Sequence, residues 1–106
     1  MAKLEKWAVI GNKADYKLVN SGIGNFLVDG STLDKCAIYA RSGKQLKMLI
    51  KDEDREVYLL GLVYDREGFP DGGTITTSRI REVADDLSYV ITKSGSKYEL
   101  GTMYHQ

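Results

Sequence analysis

The stretch from Val57 to Gly101 most constrains what this chain can become. It reads VYLLGLVY, a turn-rich break DREGFPDGG, then TITTSRIREV, a second break ADD, and finally LSYVITKSGSKYELG. Val57 to Tyr64 is apolar on both parities. Val57, Leu59 and Val63 line one face, and Tyr58, Leu60, Leu62 and Tyr64 the other. A strand covered on both sides lies inside a sheet, so this segment is predicted to be the heart of the fold. Thr74 to Val83 is rich in β-branched residues, but Ile75 and Ile80 have opposite parity; a bulge near Thr77-Ser78 would return both to the core side. Leu87, Tyr89 and Ile91 alternate, Lys93-Ser94-Gly95-Ser96 turns, and Tyr98 and Leu100 return beside them, which predicts a hairpin.

The first half adds shorter pieces. Lys6 to Ile10 reads as a strand with Trp7 and Val9 on one face. Asn12 to Asp15 is a polar break, and Tyr16 to Val19 a short strand. Asn20 to Asn25 is glycine-rich and must turn, Phe26 to Val28 reads as strand, and Asp29-Gly30 stops it. Within Ser31 to Ala40, a brief helical turn near Thr32–Lys35 followed by a strand fits best, because Cys36, Ile38 and Ala40 alternate. Arg41 to Lys44 looks like a hairpin turn. Gln45 to Ile50 alternates, which places Leu46, Met48 and Ile50 inward.

Two pieces recur in order. Asn25–Leu33 is similar to Gly68–Ile75, and Ile38–Leu46 to Val90–Tyr98. Duplicated halves of about 1–51 and 52–106 are therefore open as an organisation, each too small to bury its own apolar face. The expected whole is one mainly β domain over 1–106. Its form would be a small antiparallel barrel or a strongly bent sheet, with at most one short helix.

Composition narrows the chemistry. Lys+Arg and Asp+Glu balance at 15 each, so no whole-molecule field draws in nucleic acid or anionic membrane. Trp7 to Ile10 is too short an apolar run for a signal-peptide core or a membrane span. With Cys36 the one cysteine, no intrachain disulfide can form, which suits a reducing compartment; a cytoplasmic location is expected. His105 is the one histidine and sits beside the C-terminus, which argues against a His-based triad or a His-rich metal site. Ser42-Gly43-Lys44 lacks the upstream glycine of a phosphate loop, because Ile38 stands there. The acidic runs Asp52-Glu53-Asp54 and Asp85-Asp86 lack calcium-loop spacing. An acid pair of Asp71 with Asp65 or Glu67 has nothing to select it over turn formation. No catalytic residue, metal or cofactor is expected.

Two basic stripes remain. Lys44, Lys47 and Lys51 lie close together, and Arg79, Arg81, Lys93 and Lys97 cluster with Tyr89 and Tyr98 in the last third. Cations beside aromatic rings on a small sheet are able to hold a nucleic-acid backbone, although Glu82, Asp85, Asp86 and Glu99 interleave with them.

Phe69-Pro70-Asp71-Gly72-Gly73-Thr74-Ile75-Thr76-Thr77-Ser78-Arg79-Ile80, followed by Val90-Ile91-Thr92-Lys93-Ser94-Gly95-Ser96-Lys97-Tyr98-Glu99-Leu100-Gly101, resembles a pattern of small bacterial and phage proteins of unassigned function. The resemblance covers the C-terminal half. It implies a context, a phage, prophage or other mobile element, and no activity.

The expectation that follows is a non-enzymatic interaction protein acting on a protein partner. Its anchor residues are expected to be Arg79, Arg81, Tyr89, Lys93, Lys97 and Tyr98. The alternative is a nucleic-acid-binding β module using the same basic hairpin face. A homodimer is a further expectation, since exposed sheet edges invite a second copy.

Overall fold

The computed structural model describes residues 1–21 and 30–105, the side chains of 30–32 excepted. Among these residues the frame is one mixed sheet of seven strands. Strand β1 (Lys3–Ile10) leads into helix α1 (Lys13–Ser21); helix α2 (Gly30–Cys36) leads into the short β2 (Ala37–Ile38) and helix α3 (Gly43–Lys51). Strands β3 (Tyr58–Tyr64), β4 (Gly73–Thr76), β5 (Ile80–Val83), β6 (Tyr89–Thr92) and β7 (Lys97–Leu100) complete it. The order is β4-β3-β1-β7-β6-β5, with β2 on the far end of β1. Neighbours are antiparallel except β1 and β7, which run parallel. The mostly β architecture agrees with the sequence; the parallel pair at its centre was not foreseen.

The parallel pair exists because the C-terminal tail comes back along β1. Trp7 N–H donates to the Thr102 carbonyl at 3.3 Å, and the Gly101 and Tyr104 N–H groups donate to the Leu4 and Trp7 carbonyls. Trp7 is itself 2% exposed, and its indole N–H donates to the Gly101 carbonyl at 3.0 Å. The β1–β3 register shifts between Glu5 and Ala8, where Lys6 takes φ 49°. That bulge puts Leu4, Trp7 and Val9 all on the inner core side, although strict alternation would separate Leu4 from Trp7. Trp7 and Val9 share a face, as their spacing predicts.

Strand β3 is two-sided as its sequence requires. Val57, Leu59 and Val63 enter the large core with Trp7, Leu46, Ile75, Ile80, Val90 and Tyr98. Leu60, with Tyr58 and Leu62 packed against it, meets Ala8, Ile10, Val19, Leu33 and Cys36 beneath α1 and α2. Cys36 belongs to this second core, and burial pushes its thiol pKa up, so it behaves as a small apolar group.

Three helices stand among the described residues, against the one short helix expected. Tyr16 to Val19, read as a strand, belongs to α1. Asn12 starts it: its side-chain oxygen accepts the Asp15 N–H at 2.8 Å, and its amide donates back to the Asp15 carboxylate at 2.9 Å. Arg41 to Lys44 is a helix start, not a hairpin turn. Ser42 accepts the Gln45 N–H, and Gln45 to Ile50 is helical in α3. Leu46 is buried, Leu49 and Ile50 pack on the same core, and Met48 is 75% exposed rather than inward. The helical turn expected near Thr32–Lys35 is present within the longer α2, and the strand after it is two residues long. The turn and strand expected at Gly22–Asp29 lie outside the described residues.

Thr74 to Val83 is two strands rather than one bulged strand. β4 ends at Thr76 and β5 begins at Ile80, yet these are opposite ends of the sheet order. In a flat sheet the outer strands of such a path would stand about 24 Å apart, and the intervening peptides reach about 15 Å at most. The sheet therefore curls. Thr77 N–H donates to the Leu59 carbonyl at 2.9 Å and Ile80 N–H to the Val57 carbonyl at 2.8 Å. These are single bonds and not a ladder, so the sheet is not closed into a barrel. The corner does what the predicted bulge was meant to do, since Ile75 and Ile80 both reach the core. The similar pieces 38–46 and 90–98 fold differently, one passing from β2 into α3 and the other forming the β6–β7 hairpin.

Candidate interaction face

The candidate anchors lie on β5, β6 and β7, and the register decides which of them face outward. Tyr98 pairs with Val90, Lys97 with Ile91 and Glu99 with Tyr89. Val90 and Tyr98 are 0% and 2% exposed, so this row faces the core, and the alternating Tyr89, Ile91, Lys97 and Glu99 face out. The prediction had put Tyr89, Ile91 and Tyr98 on one side of the hairpin. One residue of register separates them.

Arg81, Tyr89 and Lys97 are thus brought together on the outer face. The β5–β6 register shifts between Ile80 and Glu82, so Arg81 is the extra residue and both Arg81 and Glu82 are exposed. The Lys97 ammonium stands 4.4 Å from the centre of the Tyr89 ring, within the range of an attractive cation–π contact. Glu82 lies opposite Ile91, and Glu99 opposite both Tyr89 and Lys3. Lys3 binds Glu5 at 2.9 Å, which raises its ammonium pKa.

The other anchors separate. Lys93 is exposed in the β6–β7 turn, where its backbone N–H donates to the Arg79 carbonyl at 2.8 Å. Gly95 carries the turn at φ 91°, a conformation that favours glycine. Arg79 is half-buried and spends a guanidinium N–H on the Arg55 carbonyl at 2.9 Å. Tyr98 points inward. Its hydroxyl accepts from Arg66, whose guanidinium carbon lies 4.4 Å from the Phe69 ring centre and 5.4 Å from that of Tyr98. Burial raises the Tyr98 phenol pKa, and the nearby Arg66 charge partly offsets this. Tyr98 is thus part of the core, while Arg79 is half-buried at the edge of the outer face.

Asp71, weighed as one of an acid pair, accepts the Asp65 backbone N–H at 3.0 Å, with Asp65 at φ 56°. It holds the β3–β4 loop in shape. No group of three or more His, Cys, Asp or Glu residues is placed to hold a metal among the described residues. No helix among them is long and apolar enough to cross a membrane.

The other basic stripe lies on a helix. Lys44, Lys47, Met48 and Lys51 lie along the outer side of α3, opposite Leu46, Leu49 and Ile50. The alternation of Gln45 to Ile50 predicts a strand there, and the structure has α3 instead. The spacing of Lys44, Lys47 and Lys51 by three and four residues was the available signal of a helical face.

The outer face and the two-core mixed sheet define a small, mostly β domain with an exposed, charged and aromatic β-surface. No protein-family model, curated protein or solved structure matches this chain.

Proposed function

We propose that this chain is a non-enzymatic binding module that modulates a protein partner through the outer face of β5, β6 and β7. The observation that carries the reading is the Lys97–Tyr89 contact, set among exposed Arg81 and half-buried Ile91 on one open sheet face. Aromatic and aliphatic surface beside paired charges is the make-up of a protein-binding patch. A nucleic-acid backbone instead needs cations left unneutralised. Glu82, Glu99 and Glu5 interleave with the cations here, which favours a partner of mixed charge. An accessory role in a phage or other mobile element is the setting that the C-terminal resemblance implies.

The test is affinity capture from host lysate with the tagged chain and with Tyr89→Ala/Lys97→Glu, each with and without nuclease. Capture of a discrete protein that survives nuclease and is lost in the variant, with the fold intact by circular dichroism, is the expected result. Capture that collapses with nuclease moves the nucleic-acid reading to first place. A protein captured equally by both chains overturns the choice of face.

A further inference from the structure

Helix α3 carries a second surface whose chemistry narrows the partner. Its buried side is Leu46, Leu49 and Ile50, which fixes the helix against the core. The opposite side presents Lys44, Lys47 and Lys51 around Met48, at 75% exposure the most exposed large apolar residue of the described chain. These positions follow helical spacing, so three ammonium groups ring one thioether over a helix about 14 Å long.

The setting of this face limits its size. Lys47 binds Asp85 at 2.5 Å, and Lys44 also acts on that carboxylate. Asp52, Glu53 and Asp54 follow the helix at its other end and are exposed. A long uniform polyanion laid across α3 would run into these acids at both ends. A short acidic segment with an apolar side chain would not. The helix also adjoins β5, because Lys47 reaches Asp85 in the turn after that strand and the Gly43 N–H bonds the Asp85 carbonyl.

We propose that the outer face of α3 docks an acidic, amphipathic segment of the protein partner, with an apolar side chain seated on Met48 and carboxylates on Lys44, Lys47 and Lys51. This rests on the reading of the chain as a protein-binding module and names what that partner must present. Asp85 then acts as an internal competitor, occupying Lys47 until the partner's carboxylate replaces it. Methionine suits such a seat, since its unbranched, polarisable side chain adapts to different apolar shapes.

The experiment measures anisotropy of a labelled Glu-rich helical peptide bearing a leucine stripe, titrated with the full chain. Labelled single-stranded DNA and phosphatidylserine vesicles are run in parallel. Peptide binding should weaken about tenfold in Lys44→Glu/Lys51→Glu and tighten by about threefold in Asp85→Asn, which frees Lys47. Met48→Asp should weaken it as well, with helix content unchanged by circular dichroism. Absence of peptide binding, binding indifferent to these substitutions, or binding of DNA or vesicles in its place overturns the proposal. The peptide readout does not involve Tyr89 or Lys97. Failure here with partner capture still lost in Tyr89→Ala/Lys97→Glu leaves the sheet-face reading standing. The converse pattern removes the sheet face and keeps α3.

Discussion

Glu5 shows how much a single exposed-looking carboxylate does in this fold. It sits beside the β1 bulge, where Oε2 accepts the Thr102 N–H at 2.8 Å and Oε1 meets the Lys3 ammonium at 2.9 Å. The Thr102 bond is the first cause, and the Lys3 contact the second, of a pKa held below its ordinary value of 4.5. A carboxylate with a depressed folded pKa adds stability above its unfolded pKa, and this is lost as the pH falls through the folded value. Glu5→Gln is therefore expected to cost about 1 kcal/mol at pH 7 and nearly nothing in strong acid. Urea melts of the two chains at neutral and at acid pH check this; a gap that persists unchanged in acid would assign the loss to packing. At the same scale, the burial of Tyr98 is not legible in the sequence, which offers it as an exposed anchor. Its side of the hairpin depends on pairing with Val90, which parity within its own short strand cannot reveal.

At the scale of elements, the instructive error is α3. Leu46, Met48 and Ile50 alternate, and Leu46, Leu49 and Ile50 also fit a helical stripe; a segment this short satisfies both periods. The two readings differ sharply in what they bury. Leu46→Ala is expected to destabilise by about 2–5 kcal/mol, because Leu46 is 0% exposed. Met48→Ala should stay within about 0.5 kcal/mol, because Met48 lies in solvent. Denaturant midpoints of both variants decide the matter, and a large loss at Met48 would restore the strand. Gly43 shows why the helix sits where it does. A Cβ there would collide with the Ala84 carbonyl and the Asp85 backbone, so glycine lets the start of α3 close onto the turn after β5. The N–H of Gly43 uses that approach to bond the Asp85 carbonyl at 3.0 Å.

For the whole molecule, the decisive place is the corner at 77–79. It joins the two outer strands and so requires the curl of the sheet. Thr77 is 3% exposed and ties the corner to β3 twice, accepting the Leu59 N–H on its hydroxyl at 3.1 Å and donating its own N–H to the Leu59 carbonyl. Thr77→Val keeps the shape and removes the acceptor, leaving a buried N–H without its partner. The expected cost is about 1–3 kcal/mol, with faster hydrogen exchange at the Leu59 amide than at β6 amides. Uniform acceleration across the sheet would mean that the corner is not a local clasp.

Local chemistry determined a good part of this protein before any tertiary contact is considered. The two-sided apolar run at Val57–Tyr64 required an interior strand. The alternating residues on both sides of the Ser-Gly turn at 93–96 pointed to the β6–β7 hairpin, and the need to bring Ile75 and Ile80 to one side required a break near Thr77. Each of these is written in adjacent residues. Tertiary structure alone decided which short segments became helices, which side of β6 faces out, and that β7 lies parallel to β1. Those outcomes depend on residues far apart in the chain: Leu46 shares one core with Val57 and Ile80, Val90 pairs with Tyr98, and the Thr102 carbonyl accepts the Trp7 N–H beside the bulge. A pattern within one segment cannot express a partner far along the chain, and so the faces offered to other molecules became readable only when the sheet was assembled.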